Sequence, residues 1–92
     1  MMASALDYRE VKVEVKTLIK GHILNEIIQN SDLQIGDDTP LIDEGYLTSL
    51  QAVELVMFLE DQFKVEIDPI EVDEENFRDL ASITQLIEGK LA

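Results

Sequence analysis

Ser49 is the hydroxyl best placed to react in this chain of 92 residues. It follows Gly45-Tyr-Leu-Thr48 and opens the run Leu50-Gln-Ala-Val-Glu-Leu-Val-Met-Phe-Leu-Glu60. Thr48 and Gln51 have the T-x-x-Q spacing of a capping box, so Thr48 caps a helix and Ser49 takes its first position. Serine is an ordinary residue at a helix start. With the cap supplied by Thr48, though, its hydroxyl is free, and a phosphate ester there would meet backbone N–H groups and the favourable end of the helix dipole. Catalysis by Ser49 itself is poorly supported. A Ser-His-acid triad would need His22, the one histidine, and an oxyanion hole. No G-x-S-x-G surrounds the serine. The chain has no cysteine, hence no thiol nucleophile, disulfide or thiolate metal site. The expectation is a protein that is not an enzyme, with Ser49 modified by another protein and His22 a core-edge or surface residue.

The acids invite a calcium reading that fails on spacing. A twelve-residue loop from Asp43 would end at Glu54, but Gly45 and Leu47 would fill ligand positions and Thr48 the glycine position. Clustered carboxylates leave only weak divalent binding open. The net charge is −13, and its distribution says more than its total. Residues 26–79 hold sixteen acids against Lys64 and Arg78, while residues 1–25 and 80–92 are nearly neutral. Such a field repels nucleic-acid phosphate and anionic lipid and draws in basic partners. It also serves plain solubility. Asp7, Arg9, Glu10, Lys12, Glu14, Lys16 and Lys20 interrupt any apolar span near the start, so no membrane segment is expected and the cytoplasm is the expected compartment.

The elements that position Ser49 follow from apolar spacing. Ninety-two residues with 46% apolar content make one domain, 1–92, with residues 1–7 expected as a flexible lead-in. Asp7-Tyr-Arg-Glu10 has capping-box spacing and opens a helix over roughly 8–29. Val11, Val15, Leu18, Ile19 and Ile23 lie on one side of it. The stripe drifts to Leu24, Ile27 and Ile28, which predicts a bend or break near Gly21. Val11, Val13 and Val15 also suit a strand, but Lys12, Lys16 and Lys20 at i, i+4 favour helix. A long connection to Leu47 should be pinned by Leu33, Ile35, Leu41 and Ile42. The second helix, Ser49 to Phe63, buries Ala52, Leu55, Val56, Leu59 and Phe63. Its outer face carries Leu50, Val53 and Met57 beside Glu54, Glu60 and Asp61, an apolar–acidic patch of the kind that marks contact surfaces. Pro69 pushes Asp68 into extended backbone. Asp73 can cap a short third helix to Phe77, and Ser82-Ile-Thr-Gln85 can open a last one. The fold class is all-α: a small irregular four-helix bundle, three main helices and one short.

From about Val15 to Leu91 the chain resembles the acyl carrier protein family, densest over Gly45 to Phe63. Members have there a glycine, an Asp-Ser-Leu motif, then Val-Glu-Leu-Val-Met and a closing phenylalanine; Ile67-Asp-Pro69 and Ser82-Ile83 add later likenesses. The resemblance implies that Ser49 carries 4′-phosphopantetheine, installed from coenzyme A by a phosphopantetheinyl transferase. It implies an acyl intermediate held on the arm as a thioester and presented to enzymes of fatty-acid, polyketide or related biosynthesis with basic docking patches. Thr48, Leu50, Val53, Glu54, Met57, Glu60 and Asp61 would be the partner-binding residues of a monomeric carrier. The family aspartate before the serine is Thr48 here, which keeps the cap and removes a charge that partners read. Two alternatives stand beside this reading: an aminoacyl carrier, towards which Gly-x-Leu-x-Ser and Glu75-Asn-Phe77 lean, and an unloaded acidic adaptor.

Overall fold

The computed structural model describes residues 8–30 and 32–91, with side chains from residue 14. The capping box expected from Asp7 lies outside the described residues. Three α-helices are present, α1 Tyr8–His22, α2 Ser49–Phe63 and α3 Leu80–Leu91, with no strand among the described residues. The architecture is all-α, a small irregular bundle in which α1 packs chiefly on α3, and α2 touches α3 and the turn that ends α1.

α1 keeps helical pitch through Val15, so the strand alternative fails. Val15 and Ile19 are buried. At the bend expected near Gly21 the pitch widens: Ile23–Ile27 is a π-helical turn, closed by the Ile28 N–H donating to Ile23 O at 2.8 Å. The wider turn re-phases the stripe, so that Ile23 is fully buried and Leu24, Ile27 and Ile28 pack at the core's edge. Gln29, in left-handed backbone (φ 60°), stops it. Leu18 departs from its expected inward position and is 40% exposed. It lies about 80° around the helix from the midpoint of Val15 and Ile19, at the edge of the buried stripe.

The long connection is strapped to the start of α3. The Leu41 N–H donates to Arg78 O (2.8 Å) and the Ala81 N–H to Asp37 O (3.0 Å). Lys16 Nζ reaches Asp37 Oδ2 at 2.7 Å. Ile35 and Leu41 anchor it in the core and Leu33 packs against their cluster, but Ile42 turns outward. The short third helix reduces to a single capped turn, with the Asn76 N–H on Asp73 Oδ1 (2.7 Å) and the Phe77 N–H on Asp73 O (3.1 Å). Only Phe77 of that stretch is fully buried, so nothing rewards further turns. A separate 3-10 turn, Pro69–Glu71, precedes it.

α3 begins earlier than the Ser82 capping box suggested. Asp79, 4% exposed, accepts the Ser82 N–H at 2.8 Å and Arg78 Nε at 3.2 Å. Burial pushes its carboxyl up, and those bonds outweigh that and hold it below the ordinary range. Aspartate and serine cap equally well. Here Asp79 takes the cap, its Oδ1 holding the N–H three residues on, and the helix starts at the fully buried Leu80.

Candidate functional site

The approach to Ser49 is a wound turn fixed at both ends. Leu41 and Leu47 are buried anchors. Between them the Glu44 N–H donates to Pro40 O (2.9 Å), the Gly45 N–H to Ile42 O (3.0 Å), and the Tyr46 and Leu47 N–H groups both to Leu41 O (2.9 and 3.1 Å). Gly45 has φ 80°, the left-handed backbone that glycine adopts without steric cost. The chain then straightens at Thr48 (φ −80°, ψ 171°) and turns into α2.

The capping box forms as its spacing predicts. The Gln51 N–H donates to Thr48 Oγ1 at 3.2 Å, and the Thr48 N–H to Gln51 Oε1 at 2.9 Å. Sequence reading missed Leu47, which with Ala52 has the N′–N4 spacing of a hydrophobic staple; both are buried. Ser49 is exposed at the first helical position. Among the described residues its hydroxyl makes no hydrogen bond, and the N–H groups of Ser49 and Leu50 have no acceptor. An ester oxygen on Ser49 would thus stand beside two open donors at the positive end of a helix.

The outer face of α2 is open where it follows the serine. Leu50, Val53 and Met57 are 72%, 52% and 65% exposed, and Glu54 is exposed beside them. Farther along, Asp61 is exposed, with an oxygen 3.9 Å from Lys64 Nζ. Glu60 is different: it is half-buried, and its Oε2 accepts the Ile67 N–H at 2.9 Å. On the inner face Ala52, Leu55 and Leu59 are buried, with Val56 and Phe63 packed against the core.

His22 is not brought to Ser49. It stacks on Phe58, with ring centroids 3.8 Å apart and planes 11° from parallel. Phe58 lies about 13 Å along α2 from Ser49 at 1.5 Å per residue. Burial lowers the imidazole pKa from its ordinary 6.5, more than the nearby Glu26 and Glu54 raise it. The ring is a half-buried wedge between the end of α1 and α2. No group of three or more potential metal-ligating side chains gathers among the described residues.

Residues 22–87, well over half of the chain, match a family model described as the phosphopantetheine attachment site. The chain belongs to this family. It is therefore a carrier protein of the acyl carrier family, whose members bear a covalent 4′-phosphopantetheine group and act as carriers rather than catalysts. Comparison with curated proteins yields no significant match. The start of α2 fits the group: an exposed hydroxyl without a partner, two open N–H donors and an adjoining apolar–acidic face. In this carrier the cap and the hydroxyl are separate residues, so esterifying one need not cost the other.

Proposed function

We propose that Ser49 is the attachment residue, and that the protein is an acyl carrier serving fatty-acid, polyketide or related biosynthetic enzymes. The observation that carries this reading is the free, exposed Ser49 hydroxyl at the first position of a helix already capped by Thr48. The group supplies a flexible arm with a terminal thiol, absent from a chain without cysteine, on which an acyl cargo is held as a thioester. The residues around it do the rest. The N–H groups of Ser49 and Leu50 would hold the phosphate, and the hydrogen-bonded turn from Leu41 to Leu47 presents the serine outward. Leu50, Val53 and Met57 give partner enzymes an apolar contact that Glu54 and Asp61 steer by charge. Thr48 stands at the rim of that contact, and Glu60 supports it by fixing the end of α2 to Ile67. Among the described residues no helix is long and apolar enough to cross a membrane. A monomer in the cytoplasm suits this role.

The experiment is enzymatic loading. With coenzyme A and a phosphopantetheinyl transferase, the wild type should gain the mass of one arm, on the peptide containing Ser49. Ser49→Ala should gain none, and Thr48→Ala should still load. Loading of Ser49→Ala, or a gain on another serine, would assign the attachment elsewhere.

A further inference from the structure

Met57 is 65% exposed and holds the only side-chain sulfur among the described residues. The chain has no cysteine, and its other methionines, Met1 and Met2, lie outside the described residues. At about 100° per residue, Met57 falls in azimuth between Val53 and Leu50, about one and two turns along α2 from them. Its thioether is therefore open to oxidants in solution and lies within the apolar strip that follows Ser49. It is also the most polarisable group of that strip, and a peroxide converts it to a sulfoxide. With hydrogen peroxide the sulfur lone pair attacks one oxygen, the O–O bond breaks, an S–O bond forms and the other oxygen leaves as water. The sulfur loses two electrons and the peroxide gains them.

The neighbours of Met57 determine what the new oxygen does. A sulfoxide oxygen only accepts hydrogen bonds. The side chains one turn away on α2 are Val53, Glu54, Glu60 and Asp61, and none of them donates when the acids are ionised. The backbone N–H groups there are engaged within the helix. In the free carrier the oxygen keeps its water, and the fold is unaffected. Docking strips that water and leaves an unpaired acceptor against a partner's apolar groups, which weakens the contact. The acids also repel anionic oxidants, so a neutral peroxide is the reagent. We propose that Met57 is a reversible oxidation site whose sulfoxide uncouples the carrier from its partner enzymes without loosening the fold. A methionine sulfoxide reductase reverses the step: two thiols supply the electrons and close a disulfide, and the oxygen leaves as water. This inference rests on the reading of the outer face of α2 as the contact surface.

The test treats the full chain with hydrogen peroxide, removes the reagent and varies the carrier's concentration in the transferase assay. Peptide mapping should place one added oxygen on Met57. The oxidised wild type should show KM raised roughly tenfold with kcat within about twofold, and methionine sulfoxide reductase should restore the original KM. Met57→Leu still carries Met1 and Met2, and its KM, whatever its value, should be the same before and after peroxide. Thermal unfolding of the oxidised and reduced wild type should coincide. An unchanged KM with Met57 oxidised, an equal rise in Met57→Leu, a Met57 that resists peroxide, or a lowered Tm of the oxidised protein would each overturn the inference while Ser49 still loads. No loading of the reduced wild type would overturn this inference and the Ser49 assignment together.

Discussion

Removing the Glu60 carboxylate should destabilise the carrier although Glu60 lies in a helix segment that otherwise reads as surface. Its Oε2 is 2.9 Å from the Ile67 N–H, and Ile67 is only 6% exposed. Glu60→Ala leaves that N–H facing a partly dry space. A hydrogen bond to a charged group contributes about 1.5–3 kcal/mol, and an orphaned donor costs a similar amount. Partial exposure of Glu60 places the expected loss near the lower half, about 2 kcal/mol. For a domain of this size that is a fall in Tm of about 8–16 °C. Glu60→Gln retains an acceptor oxygen and should lose under about 1 kcal/mol. Urea unfolding monitored by circular dichroism measures all three proteins on one scale. If Glu60→Ala unfolds within about 0.5 kcal/mol of wild type, the bond between α2 and the loop contributes nothing. Glu60 would then be only a surface charge, as its sequence position suggests.

Three further outcomes follow from the same structure. Leu59→Ala, at a fully buried site, should cost about 2–5 kcal/mol through the cavity it leaves, whereas Met57→Ala, 65% exposed, should cost under about 1 kcal/mol and weaken transferase binding; equal losses in chemical denaturation would show that Met57 is not a surface residue. Thr48→Ala should cost about 0.5–2 kcal/mol by removing the cap, and Ser49→Ala should leave the midpoint within about 0.5 kcal/mol; the reverse order would make Ser49 the cap. For His22, the folded pKa lies below the ordinary 6.5, so its contribution is complete above that value and is lost as pH falls through the folded pKa. His22→Phe keeps the ring against Phe58 without the titration and should flatten the pH dependence of stability between about pH 7 and 5; superimposable profiles would rule out His22 as its source.

The start of α2 was legible in the sequence because its determinants are local. Thr48 and Gln51 are three residues apart and form their reciprocal bonds without help from the rest of the chain. The α2 stripe and the re-phasing after Gly21 were legible for the same reason, since both are matters of helical period. The misreadings concern positions that tertiary contacts decide. Asp79 and Ser82 are equivalent as caps by residue type, and Asp79, buried against the core, is the one that caps. Ile42 and Leu47 flank one turn, yet Leu47 enters the core and Ile42 does not, because the turn wound on Leu41 O fixes which of them points inward. Glu60 looked like a surface charge because its partner, the Ile67 backbone, arrives from beyond the end of its own helix.

The central claim is that Ser49 bears a thioester-loaded arm, and intact-mass analysis of the protein isolated from its native host tests it most directly. The account predicts a species heavier than the bare chain by one phosphopantetheine plus an acyl group. Hydroxylamine should remove the acyl increment, and fragmentation should place the remaining mass on Ser49. Protein that carries only its bare mass in cells expressing the cognate transferase, before and after hydroxylamine, would contradict it.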